Sequence, residues 1–411
     1  MNRIITKMRE SNKVRTVLKY CILFLFFVYL FSMPYFSNRT PFNYLVYFVF
    51  GVFAFFVVLY RFLYLKIKFD YRLLLLPAFA SYACIGTIVF SHQFRVLLTV
   101  LLLSLSFVIF YLFLDCFENK RVIPSLAVCS LILFSILFAL HYRNSILDFS
   151  ERLGVDGYFD NINTIAYYFG ACSVLSLYLA LYFEKKWELI YLIPFIGTFA
   201  LGLLSGSRSF LFTTVIASIV LFITRFRKKP LILIIGLASM VGAGVLFFTL
   251  PIFSAMSSRI VKMINTIEGV GYATDYSTVT RIMWQQYGLY IGAHHILFGV
   301  GVNGFAVMSG VGTYTHANIA ELICDVGLIG LLIYYSVFFV ALFDLFTKKF
   351  KHKDLVICLL SFVFVREFFG VPYTSKFNAF VFALLVYLGS KGVSTLRSRL
   401  IASNNYYVLE I

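Results

Sequence analysis

The chain has 411 residues, of which 61% are hydrophobic and only 13% are charged. A soluble domain is about 25% charged, so this composition excludes a soluble globular protein and indicates a protein that is solvated by lipid. The net charge of +17 does not indicate nucleic-acid binding, because the basic residues form short clusters between apolar runs and no continuous basic face.

Twelve apolar stretches follow one another along the chain, and they predict an all-α polytopic integral membrane protein with about twelve transmembrane helices. Helices are expected because lipid offers unpaired backbone groups no partner. The runs are continuous rather than alternating, which excludes a membrane β-barrel. We treat residues 1–411 as a single transmembrane domain. The stretches are residues 17–35, 42–65, 71–90, 94–114, 122–142, 163–183, 188–204, 210–225, 230–250, 319–346, 355–372 and 377–390.

The loops differ in their content of Lys and Arg, and this predicts the orientation. If the basic N-terminal segment is cytoplasmic, 25 of the 35 Lys and Arg residues fall on the same side, whereas the acidic residues divide evenly. The positive-inside rule concerns Lys and Arg alone. Both termini are therefore predicted to be cytoplasmic, and the long first apolar run is not predicted to be a cleaved signal peptide.

Two loops on the opposite side are long enough to carry function. The first outer loop covers residues 143–162, and the large outer loop covers residues 251–318. Within the large loop, residues 257–267 place four apolar side chains on one helical face, which predicts an amphipathic interfacial helix that stops at Gly269. A second helix is predicted from near Ser277 to Gly292.

Residues 205–209, Ser-Gly-Ser-Arg-Ser, join two apolar runs with almost no loop. Arg208 is therefore predicted to lie at the outer boundary of the membrane. It is either a snorkelling interfacial arginine or part of an anion site, since a guanidinium binds phosphate in bidentate geometry. Ser209 is expected to help cap the following helix, whose N-terminus favours anions.

Arg281 is predicted in the first turn of the second loop helix, ahead of a glycine-rich segment at residues 298–305. The glycines of that segment permit a tight, irregular backbone path. No metal site is expected. His294 and His295 are adjacent and lack a carboxylate cluster, and the seven cysteines contain no C-x-x-C spacing.

Residues 315–321, Thr-His-Ala-Asn-Ile-Ala-Glu, open the tenth apolar stretch. Asn318 followed three residues later by Glu321 predicts a capping box, which accounts for the start of the helix but not for His316. A helix N-terminus favours neutral imidazole, and a neutral histidine that faces the outer leaflet can act as a general base. His316 is therefore the predicted catalytic residue, with Glu321 as the next candidate.

Arg366 and Glu367 lie two-thirds along the eleventh apolar stretch. Charges at that depth are costly and usually face the interior of a helix bundle or a wet cavity. The two side chains are expected either to pair with each other for structural reasons or to line the substrate cavity.

The order and sidedness of these features resemble the O-antigen polymerase and O-antigen ligase superfamily. The resemblance spans residues 143–346. Its elements are a first outer loop with Arg152 and residues 160–166, a Gly-Ser-Arg at a helix junction, and a large outer loop with Arg281 and Phe-Gly-Val-Gly. Thr-His-Ala-Asn then precedes a Gly-Leu-Ile-Gly helix.

The resemblance implies a metal-independent glycosyltransferase, without a cofactor, at the outer face of the bacterial cytoplasmic (inner) membrane. Its donor would be a glycan on undecaprenyl diphosphate, and its partners would be membrane lipid and a chain-length regulator protein, with no nucleic acid. Arginines would hold the diphosphate and a histidine would serve the acceptor. Carried over by motif, the diphosphate ligands are Arg208 and Arg281 and the catalytic residue is His316; Glu321 remains the next catalytic candidate because of its position in the same helix. The expected cavity residues are Arg152, Asn163, Asn318, Arg366 and Glu367.

Three functions remain open at this level. A polymerase of lipid-linked oligosaccharide repeats, which makes O-antigen or capsular polysaccharide, is favoured because no recognition domain is evident. An O-antigen ligase would instead transfer the glycan to a lipopolysaccharide core or a protein. A polysaccharide flippase or other secondary transporter should show polar residues at mid-membrane and broken helices, whereas most apolar stretches here are uninterrupted.

Overall fold

The computed structural model describes residues 12–36, 43–65, 69–90, 94–117, 121–148, 153, 158–159, 161–182, 185–250, 253–269 and 275–394. Within these ranges the chain is almost entirely helical, apart from a short antiparallel pairing of β1 (Lys348–Lys349) with β2 (Val393–Ser394). The helices are α1 Asn12–Phe36, α2 Asn43–Tyr64, α3 Leu75–Phe90, α4 Phe94–Asp115, α5 Val122–His141, α6 Arg143–Asp148, α7 Ile162–Leu181, α8 Leu192–Leu204, α9 Arg208–Phe226, α10 Pro230–Thr249, α11 Ser254–Glu268, α12 Tyr276–His294, α13 Gly304–Met308, α14 Asn318–Thr347, α15 Lys353–Arg366 and α16 Lys376–Ser390. Short 3₁₀ helices occur at Tyr71–Leu74, Lys186–Tyr191 and Pro372–Thr374.

Ten helical spans among the described residues are long and apolar enough to cross a membrane. They correspond to the first ten predicted stretches and confirm an all-α polytopic membrane protein. The last two stretches form only α15 and α16, of 14 and 15 residues, whereas about 20 residues are needed to cross a bilayer. The eleventh stretch is shorter than predicted because α15 ends at Arg366, and Pro372 then opens a 3₁₀ turn.

The chain divides into two compact units. The first contains residues 1–68 and 112–280, and α7 is its centre, buried along nearly its whole length and packed against α5, α8 and α9. Phe134, Phe138 and Phe169 form part of its aromatic core. Since lipid is as apolar as these side chains, close packing rather than exclusion of water holds such helices together.

The second unit contains residues 69–111 and 281–411. Here α14 packs against α3 and α16, and α15 packs against α16. Tyr334 lies at the centre of this packing, with its ring 5.2 Å from Phe79 and 5.7 Å from Phe382. A buried ion pair of 3.1 Å joins Arg72 to Asp344.

Both helices predicted within residues 257–292 are present. The first, α11, ends at Gly269 as predicted, where a left-handed φ of 70° closes the helix. The predicted end of the second helix at Gly292 is wrong, because α12 continues to His294. Gly292 is a packing position instead: a Cβ there would lie 2.7 Å from a side-chain carbon of Ile323.

Candidate functional site

A break in α14 organises the polar residues of the second unit. Gly327 has φ of 66° and interrupts the helix, so the tenth span is not the uninterrupted helix that its hydropathy indicates. The glycine-rich segment pairs with this break through backbone hydrogen bonds. The Val300 N–H donates to the Cys324 carbonyl at 2.9 Å, and the Leu328 N–H donates to the Ile296 carbonyl at 2.7 Å.

Two glycines make this close approach possible. A Cβ at Gly299 would lie 2.4 Å from the Asp325 carbonyl carbon, and a Cβ at Gly327 would lie 2.5 Å from that of Leu297. Both residues also have the positive φ that L-residues rarely adopt. The glycine-rich segment was correctly predicted to be irregular, and its structural role is to pair with the interrupted helix.

Asp325 fastens the same segment through its side chain. Its carboxylate accepts the backbone N–H groups of Asn303 at 2.9 Å and Phe305 at 3.2 Å, and the hydroxyl of Tyr373 at 2.8 Å. The carboxylate is fully buried, and these donors satisfy it without a cation. Asp325 therefore holds the loop in place.

The predicted capping box at the start of α14 is wrong. The N-cap residue is Ala317, which has no side-chain cap. Glu321 instead accepts the Thr315 backbone N–H at 2.7 Å, two residues before the N-cap. Glu321 is buried, so its carboxylate fixes the backbone immediately before His316.

Asn318 is also engaged elsewhere. Its side-chain amide donates to the carboxylate of Glu367, and its backbone N–H donates to the Glu367 carbonyl at 2.8 Å. Glu367 also accepts the hydroxyls of Tyr335 at 2.8 Å and Tyr334 at 3.4 Å. Neutral donors thus surround the buried carboxylate, and this network joins the start of α14 to the end of α15.

His316 contacts two aromatic rings just before α14. Its imidazole is stacked on the indole of Trp284, with ring centroids 5.3 Å apart, and the ring of Tyr314 lies 4.4 Å away. Burial, together with the positive charges of Arg281 and Arg366, lowers the pKa of His316 to about 4. The imidazole is therefore neutral at pH 7, in agreement with the prediction, and burial together with the two arginines accounts for this.

The second unit thus brings several predicted site residues together. Arg281 and Arg366 both act electrostatically on His316, while Asn318 and Glu321 hold the chain on either side of it. The sequence pattern did not reveal the roles of Trp284 and Tyr314. Trp284 reaches the histidine through a contact between segments about thirty residues apart, whereas Tyr314 is only two residues away in the chain.

Arg208 belongs to the first unit and is almost completely buried. Its guanidinium forms an ion pair with Asp275 and donates to the Thr278 hydroxyl at 2.8 Å. The helix that it opens is capped by Ser207, whose hydroxyl accepts the Phe210 N–H at 3.4 Å, and not by Ser209 as predicted. Sequence reasoning missed Asp275, which lies 67 residues away in the chain.

Two predicted residues belong to the first outer loop. Arg152 lies outside the described residues. Asn163 is in the first turn of α7, where its backbone N–H donates to the side chain of the capping residue Asn161 at 2.9 Å. Asn161 therefore explains where α7 begins.

The fold defines a multi-pass membrane protein with ten apolar helical spans among the described residues. Residues 193–335 match the O-antigen ligase family, a stretch that includes Arg208, Arg281 and His316. The resemblance to the O-antigen polymerase and ligase superfamily is thereby confirmed over these residues, and the chain is a membrane protein of surface-polysaccharide biosynthesis. No curated protein matches the chain.

Proposed function

We propose that this protein is a glycosyltransferase that polymerises oligosaccharide repeats carried on undecaprenyl diphosphate, with His316 as the general base. The observation that carries the proposal is the neutral imidazole of His316, which contacts Trp284 and Tyr314 and is subject to the charges of Arg281 and Arg366. A base beside fixed cations suits a reaction in which a hydroxyl attacks and a diphosphate leaves.

In the proposed reaction, an acceptor hydroxyl attacks the anomeric carbon of the sugar that is linked to the diphosphate. The new glycosidic C–O bond forms while the bond from that carbon to the diphosphate oxygen breaks. The bonding electron pair leaves with the diphosphate, and the hydroxyl proton passes to the imidazole of His316. Arginines stabilise the charge that develops on the leaving diphosphate.

The low pKa of His316 belongs to the protein without substrate. A diphosphate near Arg281 and Arg366 would offset the two positive charges that favour neutral imidazole. The pKa of His316 would then rise from about 4 toward the neutral range, where a general base is most effective. The histidine would thus become a stronger base when the substrate is bound.

The remaining assignments belong to the same proposal. Arg208 and Arg281 bind the diphosphate, and Arg152, Asn163, Asn318, Arg366 and Glu367 line the cavity for the glycan. The reaction takes place at the outer face of the cytoplasmic membrane, with both termini in the cytoplasm. A chain-length regulator protein is the proposed protein partner.

A ligase is the second candidate, because residues 193–335 match a family that is described as O-antigen ligase. The attacking hydroxyl would then belong to a lipopolysaccharide core or another final acceptor rather than to a second lipid-linked repeat. The chemistry at the anomeric carbon and the demand for a base would be the same. Product analysis therefore has to separate the two functions.

The test replaces the chromosomal gene with variants at His316 and follows the glycans of the cell. Loss of a base lowers rates by about 10²–10⁴-fold, so His316→Ala should leave mostly single-repeat glycan. His316→Gln, which cannot accept the proton in the same way, should fail equally. His295→Ala is the matched control, because this exposed histidine lies outside the proposed site and should support normal chain lengths.

Two results would contradict the proposal. Long glycan chains that accumulate unattached on the carrier lipid in the His316 variants would identify a ligase. A normal ladder of chain lengths from His316→Gln would show that His316 is not the base, and Glu321 would then be examined. Membrane-inserted protein is quantified in each strain so that loss of protein is not mistaken for loss of activity.

A further inference from the structure

The first unit contains a second arginine beside Arg208. Arg259 lies on α11, and its guanidinium donates to the Gly206 carbonyl at 2.8 Å, two residues before Arg208 in the chain. Burial and the neighbouring positive charge of Arg208 lower the pKa of Arg259, and Asp275 acts in the opposite direction. The two guanidiniums are therefore close enough to repel each other.

Asp275 is the carboxylate that both arginines share. It pairs directly with Arg208 and acts through space on Arg259. Burial alone would raise the pKa of Asp275, but hydrogen bonds from Thr278 and Arg208, together with the arginine's charge, hold it below its ordinary value. The cluster thus contains two cations and one ionised carboxylate, which leaves one positive charge without a counter-ion inside the cluster.

We propose that Arg259 joins Arg208 in binding the diphosphate of the lipid carrier, and that Asp275 is the internal counter-ion which this diphosphate displaces. The inference rests on the proposed function and extends it. It names a further ligand for the leaving group and an exchange step that must precede the reaction.

The exposure of the side chains indicates which partner moves. The Asp275 side chain is 20% exposed, whereas that of Arg208 is 6% exposed. Asp275 can therefore turn away while Arg208 stays in place, held near the hydroxyls of Thr278 and Ser277. A diphosphate carries more negative charge than one carboxylate and offers several oxygens to two guanidinium groups, so it is the stronger ligand for the cluster.

The test measures binding of inorganic pyrophosphate to the purified full-length protein by calorimetry. Arg259→Gln removes one charged donor, and a hydrogen bond to a charged group is worth about 10- to 100-fold in affinity. Pyrophosphate should therefore bind at least about tenfold more weakly. Asp275→Asn keeps the size of the side chain but removes the competing charge, so pyrophosphate should bind several-fold more tightly. Lys262→Gln is the matched control, because this exposed cation on the same helix should leave affinity unchanged.

Weaker pyrophosphate binding by Arg259→Gln together with tighter binding by Asp275→Asn would exclude a purely structural role for these two residues. If Asp275 only stabilises the fold, Asp275→Asn will lower the melting temperature without tightening pyrophosphate binding, and the inference is overturned. Unchanged binding in a folded Arg259→Gln protein overturns it as well. Inorganic phosphate is titrated in parallel. Equal affinity for phosphate and pyrophosphate would assign the cluster to single phosphates, such as phospholipid headgroups, and would also overturn it.

The binding assay does not depend on catalysis, so the two proposals can fail separately. His316→Gln should still bind pyrophosphate like the unaltered protein, even where it no longer makes long glycan. Normal chain growth in the His316 variants, together with the predicted binding pattern, would contradict the catalytic proposal alone. Lost chain growth without that pattern would contradict only the assignment of Arg259 and Asp275.

Discussion

The indole ring of Trp284 lies almost parallel to the imidazole of His316, with an angle of 12° between their planes and 5.3 Å between their centroids. This contact matters because His316 has φ of 63°, a conformation that is uncommon for residues other than glycine. The neighbouring contacts must therefore maintain it. The stack with Trp284 and the hydrogen bond between Thr315 and Glu321 supply two such contacts.

Replacing Trp284 should misorient the base. An aromatic pair contributes about 0.5–1.5 kcal/mol beyond the area it buries, which corresponds to about 2- to 10-fold in rate. Trp284→Leu should lower kcat by about that factor with little change in KM, and Trp284→Phe should restore most of the loss. Chain growth on a purified lipid-linked repeat provides the measurement. Trp187→Leu, at the exposed tryptophan, should behave like the unaltered protein, and equal losses at both positions would count against a specific role for the stack.

The charges near His316 predict a shift in pH dependence. In the free enzyme the imidazole is protonated, and lost as a base, only as the pH falls through about 4. Arg281→Gln removes a charge that disfavours the protonated form, so the pKa of His316 rises toward its ordinary value of about 6.5. In a plot of kcat/KM against pH, the fall on the acid side should consequently move to higher pH, even though activity also falls. Arg143→Gln, at an exposed arginine, should leave this fall in place. A fall that moves to lower pH in Arg281→Gln would contradict the electrostatic account.

Alanine at either glycine of the break should destabilise the protein. In Gly299→Ala and Gly327→Ala, the new Cβ would lie about 2.4–2.5 Å from a backbone carbon. The positive φ at both positions adds a cost of about 1–3 kcal/mol for a residue with a side chain. Thermal unfolding in detergent should show a clear drop in Tm for both variants. Gly242→Ala is the control, because that glycine lies within α10 with open space around it. An unchanged Tm for Gly327→Ala would mean that the break is not fixed by close backbone contact.

Arg366 and Glu367 should respond differently to substitution. Glu367→Ala leaves the buried donors of Asn318 and Tyr335 without their acceptor, at a cost of about 1–3 kcal/mol for each unsatisfied group. The amount of membrane-inserted protein should therefore fall. Arg366→Gln should keep the protein level and lower chain growth. Immunoblots of membranes beside the glycan ladder make this comparison, and normal chain growth in Arg366→Gln would remove Arg366 from the proposed cavity.

The orientation can be tested by labelling introduced cysteines in a background that lacks the seven native ones. Lys262→Cys and Lys351→Cys both change exposed residues. An impermeant thiol reagent added to spheroplasts should label position 262 and spare position 351 until the membrane is made permeable. The reverse pattern would invert the topology, and every assignment to the outer face would then fail.

The helices could be predicted from the sequence because a long apolar run in lipid must pair its backbone groups internally, which a helix does. The contacts at the site could not be predicted in this way. Arg208 pairs with Asp275 across 67 residues and Glu367 holds Asn318 across 49, and hydropathy does not reveal which distant partners meet. The motifs predicted His316 as a site residue, but they did not reveal that burial and the charges of Arg281 and Arg366 would lower its pKa, because these features arise only in the folded chain.

Local rules failed where tertiary contacts compete with them. Asn318 and Glu321 have the spacing of a capping box, yet Glu367 and Thr315 engage these side chains instead. Gly292 has the character of a helix stop, yet α12 continues through it to His294, and the missing side chain leaves room for Ile323. In both cases the local preference is worth about 1 kcal/mol, which a buried contact can exceed.

The interruption at Gly327 divides α14 into two parts that can tilt differently. Residues 318–326 are fixed by hydrogen bonds to the glycine-rich segment and to Glu367. Residues 328–347 continue as an apolar helix that is held at other points, by Tyr334 and Tyr335 against Glu367 and by Asp344 against Arg72. Helices of this kind adjust their tilt to the thickness of the bilayer. We expect such tilting to be absorbed at the glycine, so that His316 keeps its alignment in membranes of different thickness.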